Sequence, residues 1–462
     1  MLLSFLGLVF FGFWLKDRQT TVAGYFVSDR TMGATHIGLS IVATDVGGGF
    51  SIGLGGLGFT MGLSGAWLLL TGLIGAWLTA VFLIPVVKPL ADRHRFLTFP
   101  DFLSHRFGPT VAALAASISA LAYIGFTGSQ LLAGGKLAAS AFGWPLAPAV
   151  CAMAGVVILY TAMGGLRAVI LTDTIQWGIL LVGLALVALP LGYLAVGGIE
   201  GLRHALPTAH LDPWAIAPSL MTKWAVSIIP VWFVGMTLYQ RLYASRDEET
   251  AKRAWLLAGL LEWPAMAFLG VALGMFSRVL FPSIEPEMAI PQFVANVLPT
   301  GAAGIVLAAY LAAVLSTADS CLLAATGHLV NDLYHKVINP LSDDRHLIRM
   351  SREIILVLGL SSVAFALHAP SILESMLLAY TFMVAGLFFP TIAALYWKDA
   401  TKRGAIWSMT AGGATTLIAS FNPTLFPLDQ PLYIGLPAGA VAMVIGTITD
   451  KSYRKNLQKP LY

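Results

Sequence analysis

Two polar runs interrupt otherwise apolar stretches of this chain: Ala43-Thr44-Asp45-Val46-Gly47-Gly48-Gly49-Phe50-Ser51-Ile52-Gly53 and Ala313-Val314-Leu315-Ser316-Thr317-Ala318-Asp319-Ser320. In the second, Ser316, Asp319 and Ser320 stand at i, i+3 and i+4, so on a helix their oxygens share one face. Hard cations take carboxylate, hydroxyl and carbonyl oxygens; the competing use of the hydroxyls is a bond back to the helix's own carbonyls. In the first run, each of three consecutive glycines costs a helix about 1 kcal/mol against alanine. Asp45 costs a few kcal/mol more at membrane depth unless it faces protein or water. A helix broken there frees carbonyls that suit a small cation. Glycines that only let helices pack closely are the competing reading, and it leaves Asp45 unexplained. A second break lies in Ile228-Ile229-Pro230-Val231-Trp232-Phe233-Val234-Gly235. Phe50, Trp232 and Tyr239 offer aromatic walls for an organic solute, and with Asp45, Gly48 and Ser51 they are the candidate substrate contacts. Asp173, on one face with Gln176, is either a helix-start charge at the membrane interface or a site residue. Glu262 and Glu374 lie in or near apolar runs without an assigned role.

The elements that position these residues are membrane spans. Hydrophobic residues make up 57% of the chain, charged residues 11%, and the mean hydropathy is +0.80, whereas soluble domains carry about 25% charge. Apolar stretches of about 17–25 residues are span candidates, and they number about thirteen: 1–15, 34–60, 66–87, 109–133, 144–163, 170–195, 217–239, 254–279, 301–330, 353–368, 371–396, 405–421 and 431–449. The last residues of the tenth and first of the eleventh, around His368 and Pro370, also read as one bent helix. Of 27 Lys and Arg residues, 23 fall in alternate loops, with Arg241 counted at the start of a basic loop; Lys136, Arg203, Lys223 and Arg278 fall on the other side. The positive-inside rule then puts the N-terminus outside and the C-terminus in the cytoplasm. The basic pI of about 9.0 therefore reports orientation in a bilayer and no nucleic-acid partner. Met1 to Leu15 lacks the charged start of a cleaved signal and reads as a first helix.

Interrupted spans at matching places in two halves point to an inverted-repeat transporter with its site at the midplane. The chain divides into 1–33, a first helix and cytoplasmic loop; a core over 34–396, with halves 34–195 and 217–396; and 397–462, two further helices and a cytoplasmic tail. The expected fold class is all-α and polytopic.

These segments resemble the sodium:solute symporter family, whose members carry proline, choline, sialic acid, pantothenate or sugars. The resemblance rests on Tyr160–Gln176 (YTAMGGLRAVILTDTIQ), Gln240–Arg241, Leu315–Tyr334 (LSTADSCLLAATGHLVNDLY) and Gly386–Ala405 (GLFFPTIAALYWKDATKRGA). It implies a leucine-transporter-type five-plus-five inverted repeat with extra helices outside it. It also implies a main sodium site formed by the carbonyls of Ala43, Val46 and Ala313 with the hydroxyls of Ser316 and Thr317. A second sodium, bound by some members, maps onto Asp173, Ser316, Asp319 and Ser320, with Asp319 where relatives have serine. Asp45 matches a carboxylate of proline-transporting relatives. Choline transporters use tryptophan at that position and at Gly235, so two walls of an aromatic cage are missing.

The implied function is symport: inward sodium flux drives uptake of a small organic solute, an amino acid such as proline or another small zwitterion or organic acid, by alternating access. A proton-coupled carrier or a transporter-like sensor of the same fold is the alternative. Sodium is the coupling ion, the solute and the lipid bilayer are the partners, and no organic cofactor is expected. Gly53-Leu54-Gly55-Gly56-Leu57-Gly58 matches the dinucleotide-loop spacing but lacks the strand and the acidic residue that spacing needs. The nine histidines show no paired metal spacing, the two cysteines lie in apolar runs, and no nucleophile and base converge, so an enzyme is not expected.

Overall fold

Apolar runs without side-chain partners for their backbone fold as helices, because in lipid each N–H and C=O must be satisfied within its own segment. The computed structural model describes residues 21–369, 371–422 and 430–450. The proposed first span, 1–15, and the tail from 451 lie outside the described residues, as do the surroundings of Gly48, Met163–Gly165 and Ala168. The described chain is helical throughout, apart from turns and one isolated bridge between Met32 and Ser245.

The chain forms α1 (Ala34–Asp45), α2 (Gly47–Met61), α3 (Trp67–Leu78), α4 (Pro109–Phe142), α5 (Leu146–Val182), α6 (Pro218–Ile228), α7 (Met236–Ala244) and α8 (Glu248–Leu261). It continues with α9 (Thr300–Gly327), α10 (Asp344–His368), α11 (Ile372–Tyr396), α12 (Lys402–Phe421) and α13 (Leu432–Ile448). A wide π-turn carries α3 on into Ile84–His94, and another, Glu262–Ala267, carries α8 on into Phe268–Leu280. Among the described residues, seven helices are long and apolar enough to cross a membrane, or eight with the bent pair Pro218–Val234 and Met236–Ala244. Ile175, Leu186, Ile305, Val357 and Leu360 stand exposed along them, a surface that suits lipid rather than water.

Starts are set by capping side chains. Asp247 accepts from the Thr250 N–H at the head of α8, Asp343 from the His346 N–H at the head of α10, and Thr401 from the Gly404 N–H at the head of α12. α10 ends at His368 and α11 begins at Ile372 behind its cap Ser371, so this pair is two helices. The backbone of α5 is helical through residues 160–166, between the expected spans 144–163 and 170–195. Tyr160 Oη nevertheless lies 3.0 Å from Thr172 Oγ1, whereas twelve residues of straight helix advance about 18 Å; the segment bends back on itself.

Contacts between loops sort them into two ends. At one, Lys88 Nζ reaches Asp92 (2.7 Å) and the Ser245 carbonyl (2.6 Å), Lys336 pairs with Asp101, and Arg106 donates to the Trp397 carbonyl at 3.1 Å. At the other, Lys136 pairs with Glu285 (2.5 Å) and Glu287 (2.7 Å), and Trp67 Nε1 donates to the Pro213 carbonyl at 2.6 Å. Of the basic residues, Lys88, Arg106 and Lys336 make the first set of contacts and Lys136 the second, and one residue needs correction. Arg241 is not in a loop but fully buried in α7.

Candidate functional site

The first break is a single residue wide. α1 ends at Asp45, and Gly47 takes φ +35°, a left-handed backbone that favours glycine. A β-carbon there would also overlap Thr317 Oγ1 of α9, so conformation and space both require glycine. Thr317 Oγ1 lies 3.0 Å from the Ala43 carbonyl and 3.1 Å from that of Ala313, and Ser316 Oγ donates to the Ala313 carbonyl at 3.1 Å. Four of the five expected sodium ligands are thus in mutual contact. The fifth, the Val46 carbonyl, accepts from the Ser51 N–H at 3.2 Å. The cluster contains only neutral oxygens, the donor chemistry a hard monovalent cation takes.

The second break bends the chain by 42° between Pro218–Val234 and α7, at Pro230, which has no N–H, and Gly235. Each break frees an N–H, and one helix caps both. Gln130 Oε1 of α4 accepts from the Gly49 N–H at 2.9 Å, and Tyr123 Oη accepts from the Thr237 N–H at 3.1 Å. Seven residues, two helical turns, separate the caps, so they share a face of α4.

Between the breaks lies a narrow cavity bordered by Thr44, Asp45, Tyr123, Phe126, Thr237 and Tyr380. Phe126 stacks on Tyr380 with ring centroids 5.1 Å apart. The space admits the centre of about one water-sized sphere, about 10 Å³, so the protein is closed here and a solute enters only when the walls part. Of the expected substrate contacts, Asp45 borders the cavity. Phe50 stands behind it, 6.2 Å from the Tyr380 ring, and Ser51 Oγ donates to the Gly47 carbonyl at 2.5 Å. Trp232 is buried against Gly75 of α3. Tyr239 is turned elsewhere: its hydroxyl donates to the Phe233 carbonyl at 2.9 Å and its ring meets Phe99 at 4.8 Å. Gly48's surroundings lie outside the described residues. Tyr123, Phe126, Gln130 and Tyr380 were missed, although the first three share the 3–4–7 spacing of one helix face.

One turn along α9 the chemistry changes. Arg241 Nη2 lies 3.1 Å from Asp173 Oδ2, with both side chains fully buried. Arg241 Nε donates to Ser40 Oγ at 2.9 Å, and Ser40 in turn donates to Asp173. Nη2 also reaches Ser320 Oγ at 2.9 Å and Thr44 Oγ1, while Nη1 donates to the Thr237 carbonyl at 3.1 Å. Asp173 is therefore an interior ion-pair partner and not a helix-start charge at the interface. Asp173 and Ser320 of the expected second cation set meet at this guanidinium, Ser316 lies beside Asp173, and both oxygens of Asp319 are buried without a hydrogen bond. Among the described residues no three His, Cys, Asp or Glu side chains form a metal cluster.

The profile of the sodium:solute symporter family matches residues 25–412. The sodium/myo-inositol cotransporter of Mus musculus is 29% identical, over 91% of this chain and 66% of the relative; the chain spans about two thirds of that relative's length. The osmoregulated proline transporter OpuE of Bacillus subtilis is 29% identical, over 96% of this chain and 92% of its own. Among solved structures, a sodium-coupled sialic acid symporter in a substrate-bound outward-open state superposes with a TM-score of 0.80 at 20% identity, covering 97% of this chain and 96% of that one. A nucleobase-cation-symport-1 family transporter in a closed conformation gives 0.62 at 14% identity, covering 94% and 97%. At these identities the structural likeness is one of fold. The length of the matched segment carries the conclusion: the chain belongs to the sodium:solute symporter family, a family of transporters and not of enzymes.

Proposed function

We propose that the chain is a secondary symporter that uses inward sodium flux to take up a small organic solute, an amino acid such as proline or another small zwitterion or organic acid. The observation that carries this reading is the neutral-oxygen cluster of Ala43, Ala313, Ser316 and Thr317, built on the broken helix one turn from the Asp45 cavity. Sodium takes these oxygens together with the Val46 carbonyl, and the hydroxyls turn their lone pairs to the ion. By drawing the α1–α2 break onto α9, the ion organises the cavity for solute. Both then pass inward as the two halves, 34–195 and 217–396, rock about the site. Of the second set, Asp173, Ser316, Asp319 and Ser320, the Arg241 guanidinium holds Asp173 and Ser320 and takes the place of a second sodium there. The two capped breaks support the five-plus-five repeat within about thirteen spans. The bias of basic residues supports an N-terminus outside and a C-terminus in the cytoplasm, with the chain in the plasma or inner membrane. A proton-driven carrier of the same fold is the second reading, favoured by the unbonded carboxyl of Asp319.

The test is thermal stability of the purified chain in sodium against potassium at constant ionic strength, with and without a solute panel. A ligand at ten times its dissociation constant stabilises by about 1.4 kcal/mol. A sodium-specific shift that grows with one solute supports the reading; equal behaviour in both salts contradicts it.

A further inference from the structure

The cavity carboxylate is not alone. Glu262 is fully buried where α8 widens into its π-turn, a helical irregularity that often marks function. A β-carbon placed on Gly72 of α3 would lie 2.5 Å from Glu262 Oε2 and 3.9 Å from Asp45 Oδ2. The two carboxyls thus converge on one point, which only a glycine leaves open, and they are close enough to interact directly.

No cation among the described residues answers them. Neither carboxyl is in an ion pair, and Arg241, the guanidinium beyond Thr44, is committed to Asp173. Three acceptors, Asp45 Oδ2 and both oxygens of Glu262, are buried with no hydrogen-bond donor beyond the pair itself. Buried acceptors without donors, and a buried acidic pair without a counter-charge, each destabilise a fold. The arrangement persists where a ligand supplies what is missing: positive charge and N–H donors together. The rest of the cavity agrees. Tyr123, Phe126 and Tyr380 present aromatic faces, which attract a cation, and no Lys or Arg lines it.

We infer that the transported solute carries a protonated primary or secondary amine, which Asp45 and Glu262 receive as a pair while Tyr123, Phe126 and Tyr380 enclose its apolar body. The inference rests on the symporter reading and narrows it, setting aside solutes without a basic nitrogen. Quaternary ammonium compounds are also set aside, since they bring charge but no N–H to fill the acceptors.

The experiment uses purified full-length chain in sodium and matched probes. Pyrrolidine is compared with tetrahydrofuran and with N,N-dimethylpyrrolidinium, and proline with cyclopentanecarboxylate, by thermal shift. The expected result is stabilisation by pyrrolidine or proline and none by the three analogues lacking an N–H. In Glu262→Gln the amine's apparent dissociation constant rises about tenfold or more, the scale of a lost charge-assisted hydrogen bond. Three results overturn the inference: a nitrogen-free analogue binding as well as its amine, neither amine binding, or an amine response unchanged in Glu262→Gln. The second is also the outcome if a proton alone answers the pair. Should Glu262→Gln not fold, the matched-probe comparison on the unmodified chain still decides. Failure of the symporter reading looks different: amines stabilise equally in sodium and in potassium.

Discussion

Two neighbouring turns of α9 handle charge in opposite ways. The oxygens of Ala43, Ala313, Ser316 and Thr317 are all neutral and bond to one another, Thr317 Oγ1 reaching the Ala43 and Ala313 carbonyls, with Asp173 beside Ser316 on the far side. Around Ser320 a full positive charge, Arg241, lies against a full negative one, Asp173, with no exposure of either. A shell of neutral dipoles can close on itself when sodium leaves and so strands no charge in a low dielectric. Arg241 is a cation that cannot leave. The first region is suited to the mobile ion; the second is a fixed hinge pin joining α1, α5, α7 and α9.

That contrast can be broken experimentally, most forcefully at the fixed pair. Arg241→Gln leaves Asp173 buried and uncompensated and is expected to cost about 3–5 kcal/mol, read as thermal stability. Arg241→Gln with Asp173→Asn should cost clearly less than the single changes combined, the signature of a direct pair. Additive costs would show that the two sites act independently. Next in size is Gly47→Ala, which forces a β-carbon into the left-handed region and against Thr317; about 2–4 kcal/mol is expected, with loss of any sodium-specific shift. A milder change is Gln130→Leu, which removes the cap on the Gly49 N–H and should cost about 1–2 kcal/mol. If Gln130→Leu is neutral, the break does not depend on α4. Smallest of all is Thr317→Ser, which keeps the hydroxyl and should retain the sodium response at a stability cost of about 0.8 kcal/mol, the scale of one buried methyl group.

The same contrast marks what could be read from the sequence. Both breaks were legible, because three glycines in a row and a proline before a glycine act locally on the backbone. Ser316, Thr317 and Asp45 were legible because polar groups in apolar runs demand partners. Arg241 was not. An arginine at the end of an apolar stretch reads as a loop charge, and its burial depends on Asp173, 68 residues away. Tyr123, Phe126 and Tyr380 were hidden among many aromatics, since only the bend at Gly235 aims α7 back toward them. Tyr239, one turn past that bend, points at Phe99 for the same reason. Glu262 was noticed but had no role until the packing of α3 brought it beside Asp45.

The central claim is that the mobile sodium occupies the neutral cluster, and binding of radioactive sodium to the purified chain tests it most directly. Wild type and Thr317→Ala are compared at matched folded fraction. The account predicts saturable binding by wild type and an affinity at least about tenfold weaker in Thr317→Ala, the scale of one lost ligand. Equal sodium binding by the two proteins would contradict it.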